Sequence, residues 1–193
     1  MSGATLTVNS GGTYTITGST NLSSGTLTVN SGATASTTSG TFSSGTLAGA
    51  GTFTVGASSG TYTWSGGTID GGTLKEASGG ALLLLSANDK PVTNNGTLLN
   101  AGTLTWTGTG NIRVNYGGTI TNQAAATFDI QTDASVVFPG GSGPGPFTNA
   151  GLLKKSAGTG TTTLALPFNN TGTVDVQTGT LLLAGSVNNT GGT

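Results

Sequence analysis

Short runs of alternating apolar and polar residues recur along the whole chain, each closed by Gly, Ser or Asn. In Thr5-Leu-Thr-Val8 the two apolar side chains fall on one side and the two threonines on the other, because side chains alternate along a strand. The run returns as Thr26-Leu-Thr-Val29 and again as Thr52-Phe-Thr-Val55. A second set reads Thr13-Tyr-Thr-Ile16, Thr34-Ala-Ser-Thr37 and Thr61-Tyr-Thr-Trp64. A third reads Leu22-Ser-Ser-Gly-Thr-Leu27, Phe42-Ser-Ser-Gly-Thr-Leu47 and Ile69-Asp-Gly-Gly-Thr-Leu74. Three short strands thus recur in a fixed order. The pattern predicts Leu6 over Leu27 and Phe53, and Val8 over Val29 and Val55, with threonine columns outside.

The later part carries a different repeat, an apolar residue followed by x-Asn-x-Gly and another strand. It reads Val92-Thr-Asn94-Asn-Gly96, Ile120-Thr-Asn122-Gln-Ala124, Phe147-Thr-Asn149-Ala-Gly151, Phe168-Asn-Asn170-Thr-Gly172 and Val187-Asn-Asn189-Thr-Gly191. Leu98-Leu-Asn100-Ala-Gly102 is an extra copy inside one unit. Such periods, roughly 20–28 residues, are those of solenoids. Each strand resembles the one a full period later rather than its immediate neighbour, so like stacks on like. That excludes a sandwich of hairpins and predicts an all-β, parallel β-solenoid with about three strands and roughly 19–28 residues per coil. Asn94, Asn122, Asn149, Asn170 and Asn189 fall at one register of this repeat and are expected to form a ladder at a corner, where Asn tolerates left-handed backbone and caps turns.

One domain is expected over residues 1–193, with Thr-x-Thr coils over 1–75, Asn-x-Gly coils over 92–193 and a turn-rich excursion at 139–146 that reads as a tolerated insertion. The alternation lapses at Ala81-Leu-Leu-Leu-Leu85, Leu98-Leu99, Leu152-Leu153 and Leu181-Leu-Leu183. An outward Leu column there would want a cover, either the chain's own Ser86–Pro91 segment or a second copy.

Composition narrows the function. The chain has 36 Gly, no Cys, no His, and only five basic and six acidic residues, for a net charge of −1. Lack of Cys and His removes the usual zinc and iron–sulfur ligands, the Cys nucleophile and the Ser-His-Asp triad. Five scattered cations make a poor phosphate binder, so no nucleic-acid partner is expected. No apolar run approaches the ~20 residues of a membrane helix, and no membrane insertion is expected. Low net charge and a third of residues hydrophobic argue against disorder. The N-terminus reads as neither basic nor apolar, hence no signal peptide in this sequence, and the chain reads as a segment of a longer protein.

Candidate chemistry is thin. Asp70, Glu76, Asp89, Asp129, Asp133 and Asp175 read as solvated corner charges. Asp129 and Asp133 would lie ~13 Å apart on an extended strand, too far for the ~5–9.5 Å of a glycosidase pair unless a turn intervenes. No catalytic residue, cofactor or metal is expected. Thr5 and Thr7, Thr26 and Thr28, and Thr52 and Thr54 would stack pair on pair into a flat hydroxyl array three coils tall. That array is similar to the ice-binding face of insect-type antifreeze solenoids. Glycan binding or cleavage is a further alternative, for which Tyr14, Tyr62, Trp64, Trp106 and Tyr116 are the candidate stacking rings, most of them inward by strand parity.

Several consecutive stretches resemble a known group. They are Trp64-Ser-Gly-Gly-Thr-Ile69, Asn100-Ala-Gly-Thr-Leu-Thr-Trp-Thr-Gly-Thr-Gly-Asn-Ile112, Thr121-Asn-Gln-Ala-Ala-Ala-Thr-Phe-Asp-Ile-Gln131, Lys155-Ser-Ala-Gly-Thr-Gly-Thr-Thr-Thr163 and Pro167-Phe-Asn-Asn-Thr-Gly-Thr-Val-Asp-Val-Gln-Thr-Gly-Thr-Leu181. Together they are similar to the large, adhesin-like β-strand-repeat proteins of bacterial surfaces. The resemblance covers roughly residues 64–185. It implies a right-handed parallel β-helix, an extracellular or cell-surface location and a structural or adhesive role without catalysis. Surface glycans, and a second copy at the open coil ends or the outward Leu column, are the partners this picture allows.

Overall fold

The computed structural model describes Met1 and residues 3–193. It is an all-β, parallel solenoid of about nine turns, with about 21 residues per turn. Each coil but the last has three strand segments, and equivalent strands of successive coils pair in parallel, so the coils rise by roughly 4.8 Å each. The first face stacks Thr5–Val8, Thr26–Val29, Thr46–Ala48, Thr68–Asp70, Lys90–Thr93, Ile112–Val114, Val136–Val137, Thr161–Leu164 and Thr180–Leu183. In the first two coils the other two faces are the halves of long strands, Thr13–Leu22 and Thr34–Phe42, which bend around a corner with a register shift between Ile16 and Ser19. From the third coil the second face continues as Thr52–Val55, Thr73–Glu76, Thr97–Asn100, Thr119–Asn122, Phe147–Asn149, Phe168–Asn170 and Val187–Asn189. The third face continues as Thr61–Trp64, Ala81–Leu84, Thr103–Trp106, Thr127–Ile130, Leu152–Lys155 and Thr173–Val176. A short 3-10 turn at Ala57–Ser59 is the one helical element described.

The alternation expected of each strand is kept. Leu27 and Val29 point in while Thr26 and Thr28 stay half-exposed. One apolar interior runs from Val8 to Phe168. Aromatic side chains stack along it, with Phe42 on Trp64 at 5.9 Å between ring centres and Phe147 between Phe128 and Phe168 at 5.4 and 5.6 Å. Such contacts add to the gain from removing apolar area from water.

The register expected for the third coil is one face out. Leu6 pairs with Leu27, and Leu27 with Leu47, not Phe53. Phe53 instead lies on the second face, between Ala35 and Leu74. Likewise Trp64 stacks on Phe42, and Ile69 on Leu47. The run Thr52-Phe-Thr-Val55 copies the first-face strand more closely than Thr46-Leu-Ala48 does, but the chain must turn a corner after every strand. Thr46–Ala48 comes directly after the Ser-Ser-Gly corner and therefore takes the first face.

The half-exposed leucines do not form one outward column. Leu83 and Leu152 lie on the third face at different strand positions, Leu99 on the second and Leu182 on the first. The 139–146 excursion is hydrogen-bonded onto the coil before it. Tyr116 N–H donates to Ser142 O at 2.9 Å, Gly117 N–H to Gly143 O at 3.0 Å, and Gly145 N–H to Gly118 O at 2.8 Å.

Candidate functional site

The strongest side-chain constellation is an axial amide ladder inside the corner between the second and third faces. Asn100, Asn122, Asn149, Asn170 and Asn189 each end a second-face strand. The Nδ2 of each rung donates to the Oδ1 of the next at 2.8, 2.7, 2.7 and 2.9 Å in turn. Several rungs make a further bond to a carbonyl of the next coil: Asn100 to Thr127 O at 2.8 Å, Asn122 to Leu152 O at 3.1 Å and Asn149 to Thr173 O at 3.1 Å. Asn100, Asn122 and Asn149 have no exposed surface. These amides occupy interior positions because each finds partners on adjacent coils, as buried polar groups require.

Asn94 is not a rung, which corrects the expected register. It sits with Asn95 in an exposed turn closed by Gly96 N–H on Thr93 O at 2.8 Å, with φ of 53° and 62° at the two asparagines. Its Nδ2 reaches Asp70 Oδ1 at 2.5 Å. The left-handed conformation expected of the ladder residues therefore belongs to Asn94 and Asn95, and the rungs are strand residues. Asn100, from the extra copy of the motif, is the rung in its place. The glycine of the motif has its own cause. A Cβ at Gly172 would lie 2.1 Å from Gly151 O and one at Gly151 would lie 2.3 Å from Ala126 O, so the coil below comes too close for any side chain.

Below Asn100 the same column holds Glu76, since Lys75 pairs with Leu99. Glu76 is fully buried, its Oε1 accepts from Thr103 N–H at 2.9 Å, and its Oε2 has no hydrogen-bond partner. Burial pushes its carboxyl up to about 8, against the opposing pull of the Thr103 and Leu82 N–H groups. Glu76 is thus not the corner charge expected, and neither is Asp129, which is 6% exposed. Asp129 accepts from Ser156 Oγ at 2.6 Å and Gln131 Nε2 at 2.8 Å and pairs with Lys154 at 3.2 Å.

Two lysines are also interior. Lys155 is fully buried and its Nζ donates to Thr132 O, Asp133 Oδ1, Ala157 O and Thr162 Oγ1 at 2.8–3.2 Å. That hydrogen bond holds the exposed Asp133 carboxyl below the usual range. Lys90 lies beneath Ile112, its Nζ donates to Asn88 O at 2.7 Å, and burial pushes its ammonium down. Strand parity carried this information: Leu74 and Leu153 face inward, so Glu76 and Lys155 two residues on must do so too.

The three-coil hydroxyl array expected of the Thr-x-Thr runs does not form, because its members are divided between faces. On the first face Thr5 pairs with Thr26 and Thr7 with Thr28. Thr7 is exposed, as expected, but the column above it holds only Thr28 and then stops, since Thr28 pairs with Ala48. Thr52 and Thr54, expected to continue the columns of Thr5 and Thr7, lie on the second face, on Thr34 and Ser36. The cause is the corner that displaces the third-coil register. A paired hydroxyl surface built on Thr5, Thr7, Thr26 and Thr28 is therefore two coils tall. The second face carries a longer single column, Thr13, Thr34, Thr52, Thr73, Thr97 and Thr119. Its neighbouring column is broken at Lys75 and Leu99. Among the candidate stacking rings Tyr62, Trp64 and Trp106 are fully buried, and the half-exposed Tyr14 and Tyr116 are separated by five coils. Asp129 and Asp133 are each engaged by a different lysine.

Among the described residues no group of three or more His, Cys, Asp or Glu is placed to hold a metal ion, and no helix is long and apolar enough to cross a membrane. Comparison of the chain with protein-family models, curated proteins and solved structures gives no match.

Proposed function

We propose that the chain is a structural or adhesive rod module of a bacterial extracellular surface protein or fibre. One observation carries this reading: strands pair from coil to coil along a single axis, and from the fifth coil to the ninth the amide ladder joins them inside as well. Nine coils at ~4.8 Å give a rod roughly 40 Å long. Asp70, Asp89, Asp129 and Asp133 are each engaged by a side chain of an adjacent coil, Asn94, Arg113, Ser156 and Lys155 in turn. The strand-repeat motifs between residues 64 and 185 support the surface location.

The final coil supports self-association through coil ends. Val176 and Val187 are 45% and 52% exposed, whereas Lys155 and Phe168, the inward residues they stack on one coil earlier, are buried. An apolar end with open strand edges invites another coil. Sedimentation across a concentration series, with negative-stain images, tests this. Rods lengthening in steps of one chain are expected, and Val187→Lys should reduce them to single units. Uniform single units at all concentrations would remove end stacking. Antibody against the folded chain should label intact source cells; labelling only after permeabilisation would remove the surface assignment.

Ice binding stays as a second reading on a changed footing, the six-threonine column of the second face. Thr97 and Thr119 Oγ1 atoms lie 3.0 Å apart within it. Thermal hysteresis beyond the colligative effect, lost in Thr52→Lys, would support it; its absence would dismiss it.

A further inference from the structure

The amide ladder has a direction. Both N–H groups of Asn100 are committed upward, to Asn122 Oδ1 and Thr127 O. What Asn100 has left is Oδ1, which accepts Gly102 N–H at 3.2 Å and keeps a second lone pair. Every later rung receives a donor on Oδ1 from the rung before. At Asn100 the preceding rung is Glu76, whose Oε1 is occupied by Thr103 N–H and whose Oε2 is buried without a partner. An ionised carboxyl would therefore turn an acceptor toward an acceptor, inside an apolar interior. A neutral carboxyl has one O–H to give.

We propose that Glu76 is a proton-carrying first rung of the ladder: its neutral carboxyl donates from Oε2 to Asn100 Oδ1, and loss of that proton loosens the joint between the fourth and fifth coils. The rod then carries a built-in pH-sensitive joint. No cation is placed to replace the proton among the described residues. The strands flanking Glu76 on its own face present Phe53, Val55, Leu98 and Asn100 inward, none of them titratable. Around the corner the groups turned toward it are the Thr103 and Leu82 N–H groups. Lys75 precedes it on the outward side, and Lys90 belongs to the first face, with its ammonium on Asn88 O. The Tyr62 phenol is buried and held protonated by that burial.

The sign follows from a carboxyl that ionises later in the folded chain, at about 8, than in the unfolded one. Its contribution is full below the unfolded value and is lost as pH rises through the folded value. The folding constant of the full chain should fall roughly a hundred- to a thousandfold between pH 5 and 8.5. Glu76→Gln supplies a neutral N–H donor and an acceptor in the same place. Its stability should be nearly flat over this range, equal or superior to the wild type at pH 8.5. Equilibrium denaturation of both proteins over that range reads this difference. Parallel pH profiles in the two proteins would overturn the proposal. Infrared spectroscopy of the wild type supplies a second measure that needs no variant to fold. A protonated-carboxyl band should persist at pH 6.5 and fade on raising the pH through about 8. Absence of that band at pH 6.5 would overturn it equally.

Discussion

Removing the middle rung of the ladder tests the structure where it is most tightly specified. Asn149 is fully buried. Its Oδ1 accepts from Asn122 at 2.7 Å, and its Nδ2 donates to Asn170 Oδ1 at 2.7 Å and Thr173 O at 3.1 Å. In Asn149→Ala, Asn122 keeps its bond to Leu152 O but loses the axial one, and Asn170 Oδ1 loses its donor. Each lost bond is worth ~1 kcal/mol net, and each buried polar atom left without a partner costs about 1–3 kcal/mol. With two such atoms created, the expected loss is ~2–6 kcal/mol. Asn94→Gly is the control. Asn94 is exposed, and glycine suits its positive φ, so a change within ~0.5 kcal/mol is expected. Urea denaturation followed by the fluorescence of the buried Trp64 and Trp106 reports both variants. A loss below ~1 kcal/mol for Asn149→Ala, or equal losses for the two positions, would refute the ladder as drawn.

The other consequences concern the lysines and the corners. Lys155→Met should shift stability by less than ~2 kcal/mol, because an apolar chain of similar length fills the site and the exposed Asp133 returns to water. NMR titration should show the Asp133 carboxyl of the wild type ionising below the ordinary range and that of Lys155→Met returning to it; the stabilising link is present above the unfolded pKa and is lost as pH falls. Gly49→Ala should cost more than ~2 kcal/mol by thermal denaturation, since φ is +86° and the new Cβ would lie 2.2 Å from Val29 O. Gly143→Ala, with open space around it, should be neutral in the same assay.

The architecture was legible because a solenoid writes its axial contacts as sequence repeats. Thr5–Val8 and Thr26–Val29 match residue for residue and do pair. The slip at the third coil shows the limit of that reasoning, and it is why Thr7 has Thr28 above it but not Thr54. Likeness of strands says that two segments occupy similar environments, and all three faces offer the same one, apolar inside and hydroxyl outside. Only turn geometry separates the faces. The same limit explains Asn94 and Asn100. Both sit two residues after an apolar inward residue, and both precede x-Gly. They differ in that Asn94 is followed by another Asn, which favours a tight turn with positive φ at both central positions. The interior positions of Glu76 and Lys155 follow from strand parity, against the preference of a charge for a solvated corner. A partner for Glu76 Oε2 cannot be inferred from periodicity at all, since it depends on which way the amides of the ladder point.

A pair of cysteines measures the axial register of the coils directly in a chain that has none of its own. Thr28 pairs with Ala48 on the outer side of the first face, at the ~4.8 Å spacing of neighbouring strands. That lies within the ~4.4–6.8 Å Cα separation a disulfide spans. Thr28 and Thr54 match by sequence likeness but lie on different faces. Under mild oxidation the double variant Thr28→Cys/Ala48→Cys should close an intramolecular disulfide quantitatively, while Thr28→Cys/Thr54→Cys stays reduced. Closure of the second pair in place of the first would contradict the stacking described here.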